Sequence, residues 1–401
     1  MRTCLFPDDG TIIQEVIFRF MRVVVVGGGI VGCSSAYYLS ERGADVVLCE
    51  RSNIGAGSTE RSAGGIRAQF STPVNVALSR ASMRVWDRFE EEFDADIALR
   101  RSGYLFLARD EDSADELAET VAMQNEQGVP SELLTPEEAR EVCPGLRTDL
   151  FRAATYSPND GFADPHFALQ AFAARAREVG TDVRTGVEVT DVLGDAGGVT
   201  GVETTDGTID ADFVVNAAGP WASSVAEMAG LDLPISPERR QMAVVDPETP
   251  VAESVPLTID LDTGSYFRPE REGAALVGGH FGGDTTADPN AFDQTTDLDW
   301  TIEAVEKASD WTTYFGPESR IRRGWAGLYA VTPDHHPIIE ETIPGFVNAV
   351  GFSGHGFQHA PATGQLVTEL VFDGEPSLVD ISGLDADRFE EGRTVDERNV
   401  A

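Results

Sequence analysis

From Met21 to Glu50 the apolar positions come in dense runs rather than in alternation. Val23 to Val26 are four β-branched residues in succession, followed by Gly27, Gly29 and Gly32. Such a run reads as a strand buried on both faces. Glycines at that spacing let the backbone turn sharply, approach a pyrophosphate closely and pack the next helix tightly on the strand. The helix is predicted over Cys33 to Arg42, and Val46-Val-Leu-Cys-Glu50 is the next buried strand. Its acid falls about 20 residues past the glycines, where a carboxylate accepts hydrogen bonds from a ribose diol. Strand, glycines, helix, strand and terminal acid in one short unit predict an adenine-dinucleotide site.

Further along, Asn75 to Phe93 reads as one helix with Val76, Leu78, Met83, Trp86 and Phe89 facing a core. Gly103–Ala108 is a strand, Pro136 opens a helix, and Asp164 caps another running to about Glu178. Short strands are predicted at Asp182–Glu188, Val199–Thr204 and Thr208–Asp210, then a second buried strand from Phe213 that ends in small residues. Residues 235–323 turn to strand-like runs with long polar loops, and Ala360–Phe372 is a final helix. The pattern predicts an α/β chain: a discontinuous Rossmann-type domain (21–100, 163–235 and 324–378) with an inserted, sheet-rich α+β domain (101–162 and 236–323). Residues 379–401 read as an acidic C-terminal tail. Residues 1–20 contain Asp8, Asp9 and Glu15 and do not read as a signal peptide. Met21 reads as the natural start and 1–20 as an extension.

Composition changes the picture in one respect. There are 68 acidic against 30 basic residues, a net charge of −38, and Lys307 is the single lysine. Acids spread along the chain, with arginine in place of lysine, predict a surface adapted to high salt, where self-repulsion is screened. No basic stripe exists to neutralise nucleic-acid phosphates. Four scattered cysteines without a CxxC pair predict reduced thiols and a cytoplasmic protein. No apolar run reaches transmembrane length.

The strand end Ala217-Ala-Gly219-Pro-Trp221 resembles the second FAD motif of flavoproteins. With Gly324-Trp-Ala-Gly-Leu-Tyr329-Ala-Val-Thr-Pro-Asp334 and Gly351-Phe-Ser-Gly-His-Gly-Phe357, the chain resembles the D-amino-acid oxidase superfamily, in the branch of sarcosine oxidase and dimethylglycine dehydrogenase. The resemblance runs from Arg22 to about Phe372. It implies FAD, with the sheet-rich domain roofing the isoalloxazine ring. It implies cofactor contacts from Gly27, Gly29, Ile30, Val31, Gly32, Glu50, Arg51, Ser58, Ala63, Gly64, Val187, Ala218, Gly219, Trp221, Gly327, Gly354, His355, Gly356 and Phe357. At Gly354-His-Gly356 a helix start would offer N–H groups to the flavin's pyrimidine edge.

Four residues match substrate-side positions of the same enzymes. Arg67 stands where sarcosine oxidases hold the substrate carboxylate, a task suited to a guanidinium fork. Gln358 replaces a second carboxylate-binding lysine and is expected to assist. His280 matches a histidine able to adjust the amine's protonation. Tyr329 lines the pocket, with Tyr266 a weaker second. His355 and His359 lack the third ligand of a metal site, and no metal is expected. His335 and His336 read as structural or exposed.

The departures carry meaning too. Gly327 and Arg61 stand where relatives attach FAD through cysteine or histidine, which implies noncovalent FAD. Leu276 replaces an oxygen-activating lysine, which implies a dehydrogenase passing electrons to a carrier protein or quinone. The expected reaction is oxidation of the C–N bond of a secondary, N-methyl or D-amino acid by hydride transfer to flavin N5, followed by imine hydrolysis. Two other readings remain open. The Arg61–Ser71 block also resembles a mitochondrial FAD-domain protein that assists complex I assembly, and the chain fits one subunit of a multi-subunit dehydrogenase.

Overall fold

The valine run Arg22–Val26 (β1) lies near the middle of a six-stranded sheet, with Val23, Val24 and Val25 fully buried. The computed structural model describes residues 21–281 and 286–399, so the extension read over 1–20 lies outside the described residues. β1 pairs in parallel with Asp45–Glu50 (β2) on one side and Phe213–Asn216 on the other. The order continues through Asp182–Thr185 beyond β2 and through Phe346–Val350 and Ile338–Ile343 at the other edge. All neighbours are parallel except that last hairpin. The helix Ile30–Glu41 (α1) crosses the final long helix closely at Gly364, where a Cβ would stand 2.5 Å from Ser34 Oγ. Ser34 Oγ donates to Ala360 O across that crossing at 2.9 Å.

The second sheet has eight strands, in the order Arg320–Val331, Ser236–Asp246, Ala275–Gly279, Ser265–Pro269, Leu257–Asp260, Tyr104–Ala108, Ala153–Ser157 and Glu132–Leu134. Its pairs are antiparallel except Leu257–Asp260 with Tyr104–Ala108. One face is covered by the helix Leu298–Trp311 around Phe267, Val277 and Trp311. The chain is thus an α/β fold with a parallel cofactor-type sheet and a mostly antiparallel second sheet.

Several sequence expectations are corrected here. The helix expected over Asn75–Phe93 is two: Pro73–Trp86 (α2) and Phe89–Phe93, the second ended by Asp94 at φ 53°. The final helix starts at Gly356, four residues early, and carries Pro361 inside it. Val189–Asp195 is an additional strand, part of a three-stranded antiparallel sheet. Residues 324–331, expected with the cofactor domain, pair with Ser236–Asp246 and belong to the second sheet. The acidic segment from 379 is packed onto the fold, with Arg388 and Glu397 each 1% exposed.

Candidate active site

In the loop between β1 and α1, Gly27 and Gly28 leave no room for a Cβ, and neither does Gly32 at the start of the helix. Gly27 has φ 111°, and a Cβ there would lie 2.5 Å from Ala217 O; at Gly32 it would lie 1.9 Å from Gly27 O. Gly29 is the N-cap of α1 and makes no side-chain cap bond, the kind of helix start that can offer N–H groups to an anion. Ile30 is buried and its N–H goes to Thr59 Oγ1; Val31 is half-buried beside it. The Glu50 carboxylate reaches back over the loop, accepting from Gly28 N at 2.8 Å and Ser52 N at 2.7 Å. Val187 N donates to Glu50 O. A cradle without Cβ atoms, a helix start whose N-cap is a glycine and a carboxylate at its rim fit the pyrophosphate and ribose of a dinucleotide.

Around this cradle the other expected cofactor residues are held by contacts of their own. Ala218 precedes Gly219, which has φ 53°, and Trp221 carries the Arg51 guanidinium 4.8 Å above its ring. Both Arg51 Nη1 and Trp221 Nε1 donate to Asn290 Oδ1 at 2.9 Å. Ser58 Oγ donates to Leu328 O, and Ala63 packs against the second sheet. Gly64, at φ 76°, has Ala163 O where a Cβ would go. Arg61 lies over Gly327, whose Cβ would be 2.9 Å from Arg61 Cβ. Gly354, at φ 98°, faces the Tyr329 ring, and Gly356 packs on Phe352. Phe357 stacks on Trp86 inside the core.

Arg67 is 6% exposed, and its backbone N–H donates to Gln358 Oε1 at 2.8 Å. Gln358 therefore holds the Arg67 main chain. The guanidinium lies 3.9 Å from the Phe70 ring centroid and donates to two main-chain carbonyls, Gln69 O and Asn399 O. Among the described residues no carboxylate stands within ion-pair distance of it. Burial works against its charge and pulls its pKa below the usual guanidinium range. A buried cation held only by neutral groups is costly unless an anion joins it.

The histidines form a directed chain. His355 Nε2 faces His335 O at 3.0 Å, so that nitrogen carries the proton. Its Nδ1 then accepts from His359 Nδ1 at 3.3 Å, and His359 Nε2 accepts from Ser79 Oγ at 2.8 Å. Burial pushes His355 down to about 3, and His359 is lowered by burial and by His355 beside it. Both rings are neutral at physiological pH, with their Nδ1 atoms engaged with each other and their Nε2 atoms with His335 O and Ser79 Oγ. Among the described residues no cluster of metal-ligating side chains occurs. His336, read as structural or exposed, is buried.

His280 follows the strand Ala275–Gly279, its ring centroid 6.1 Å from that of Tyr329. Arg240 lies 5.4 Å from the Tyr329 ring. Tyr329 is kept protonated by burial, against the pull of Arg240 and Arg67. Tyr329 thus feels the charge of Arg67 and stands beside His280, both expected on the substrate side, and beside Arg240, which was not expected there. Tyr266 is buried and packs on Gly278.

Sequence reasoning did not single out Phe70, Arg240, Asp160 or the segment 393–399. Asp160 is fully buried, accepts from Ala68 N at 3.0 Å, and is pushed up to about 6 by burial. In sequence it sits in Ser157-Pro-Asn-Asp-Gly161, which reads as a surface turn, so nothing marks it. Arg240 carried a weak signal, as a charge repeated within a strand.

Residues 22–370 match the family described as FAD dependent oxidoreductase (DAO). The chain is 33% identical over 94% of its length to FAD-dependent oxidoreductase domain-containing protein 1 of Xenopus laevis, covering 84% of that protein. It is 30% identical to sarcosine oxidase subunit beta of an Arthrobacter species, over 94% of this chain and 93% of the other. It is 31% identical to the mitochondrial dimethylglycine dehydrogenase of Rattus norvegicus over 91% of this chain, but spans only 44% of that protein. Among solved structures, L-proline dehydrogenase from P. horikoshii superposes with a TM-score of 0.84 at 35% identity, covering 93% of this chain and 98% of that one. No helix of the described residues is long and apolar enough to cross a membrane.

Proposed function

The chain belongs to the DAO family of FAD-dependent oxidoreductases, and from that premise we propose that it is a dehydrogenase of secondary or N-methylated amino acids. The observation that carries this reading is Arg67: a buried guanidinium with two neutral carbonyl partners and, among the described residues, no carboxylate at ion-pair distance. The relatives named for dimethylglycine, sarcosine and L-proline share a substrate pattern, a carboxylate near an alkylated nitrogen. D-amino acids fit the same two points and stay in the class.

In this reading the remaining N–H groups of Arg67 bind the substrate carboxylate and fix the orientation of the amine. Gln358 acts by fixing the Arg67 main chain. His280 takes the ammonium proton, and the neutral Tyr329 hydroxyl bounds the pocket between them. Bound FAD supplies the two-electron acceptor for oxidation of the C–N bond. The imine product is then hydrolysed by water. The cofactor cradle suits noncovalent attachment, since Gly327 and Arg61 close on each other at the positions where relatives attach it. Leu276, buried in the second sheet, offers no cation for oxygen activation and favours an electron carrier or quinone as acceptor. The acid-rich surface favours assay in high salt.

The test is anaerobic addition of sarcosine, dimethylglycine, L-proline, glycine and D-amino acids, one at a time, to FAD-loaded protein. Loss of flavin absorbance with a secondary or N-methyl amino acid supports the proposal, and slow recovery on admitting air supports a dehydrogenase. No reduction by any of them moves the reading to a non-catalytic assembly role. Copurification of a stoichiometric partner from the host identifies a subunit of a larger enzyme.

A further inference from the structure

The segment after the long helix Gly356–Asp373 returns to the active site. Arg388, in the short helix Asp387–Glu391, pairs with Asp334, and Glu397 N then donates to Asp334 O at 3.0 Å. Glu397 is the anchor beyond that point. Its Oε1 accepts from Ser71 N at 2.7 Å, Ser71 Oγ at 2.6 Å and Asn399 N at 3.1 Å. Its Oε2 accepts from Thr72 N at 3.1 Å, Thr72 Oγ1 at 2.6 Å and Asn75 Nδ2 at 3.1 Å. Five of these six donors gather at the N-terminus of α2, whose own cap residue Thr72 makes no side-chain cap bond. A distant carboxylate therefore does the capping. Burial pulls the Glu397 pKa upward, but the hydrogen bonds from Ser71, Thr72 and Asn75 outweigh it and leave it below the usual value.

Two residues on, the Asn399 carbonyl accepts from Arg67 Nη2, and the Asn399 side chain donates to Gln69 O at 3.3 Å. Gln69 O is the other carbonyl on the same guanidinium. We propose that Glu397 is a positioning residue for substrate recognition: by seating residues 393–399 on α2, it sets the carbonyl that orients Arg67 toward a carboxylate-bearing substrate. The inference rests on the reading of Arg67 as the carboxylate anchor.

The alternative, a strap that competes with substrate, fits the chemistry less well. A carbonyl is neutral, so it directs the cation without neutralising it, and two of five N–H donors are used. Glu397 and Asp160 both act on Arg67 through their fields, yet neither forms an ion pair with it. An anchor with six accepted bonds and 1% exposure is also not poised to let go.

The test uses the full chain loaded with FAD, titrated with propanoate and, separately, propanamide, and read by perturbation of the flavin spectrum. Glu397→Gln keeps the shape but turns an NH2 group against backbone N–H donors. The expected result is propanoate binding weakened about 10-fold relative to propanamide, with FAD content unchanged and, once a substrate is known, KM raised at constant kcat. Unchanged or tighter propanoate binding overturns the proposal. Arg67→Met separates it from the underlying reading. If that variant loses propanoate while Glu397→Gln does not, only the role of Glu397 falls. If Arg67→Met binds propanoate like the parent, both fall. Should Glu397→Gln not fold, Asn399→Gly leaves the anchor whole, loosens the carbonyl and is expected to weaken propanoate about 3-fold; no change there overturns the proposal equally.

Discussion

Asp334 and Arg388, 54 residues apart and each 1% exposed, meet in a two-point pair, Nε to Oδ2 at 2.7 Å and Nη2 to Oδ1 at 3.0 Å. Arg388 also donates to His336 O and Asp385 O, so the pair joins the loop after Val331 to the segment that carries Glu397. Removing one partner leaves a buried charge alone. Arg388→Ala is expected to cost about 3–5 kcal/mol in unfolding free energy, measured by denaturant titration. Burial raises the Asp334 pKa, but the Arg388 bonds outweigh it and the net shift is downward. Its stabilisation is therefore present above about pH 4 and lost as the pH falls below.

The histidine chain predicts a different window. Both folded-state pKa values lie below the ordinary 6.5, His355 at about 3. The unfolded chain takes up protons first, so stability is present above pH 6.5 and declines as the pH falls toward 3. Each group adds a slope of up to about 1.4 kcal/mol per pH unit. Thermal unfolding between pH 7 and about 5 measures the slope; His359→Gln is expected to make it shallower.

Gly32→Ala is expected to abolish FAD retention, because its methyl would stand 1.9 Å from Gly27 O. Flavin absorbance after desalting, with circular dichroism to confirm folding, checks this.

Asn290 holds Arg51 and Trp221 through one oxygen. Asn290→Ala is expected to speed FAD release by roughly 3–10-fold, followed by the rise in fluorescence of freed flavin. An unchanged rate would remove this residue from cofactor retention.

Arg67→Met is expected to raise KM for a carboxylate substrate by roughly 100-fold, with a smaller effect on an esterified analogue. Equal losses on both would mean that the guanidinium serves the fold rather than the substrate.

Much of this was legible in the sequence because it is local. A four-residue β-branched run, glycines at fixed spacing and an acid at the next strand's end constrain one another within thirty residues, and steric necessity at Gly27 and Gly32 admits few alternatives. The break of the 75–93 helix was not legible, since Asp87 and Arg88 carry no strong stop signal and the apolar spacing runs through them. What tertiary structure alone decided is how distant charges are paired and buried. Nothing local marks Asp160, Arg388 or Glu397 as interior, because an acidic or basic residue reads as surface until its donors and acceptors are assembled. Those partners lie up to 326 residues away, as between Glu397 and Ser71, and only the folded chain brings them together.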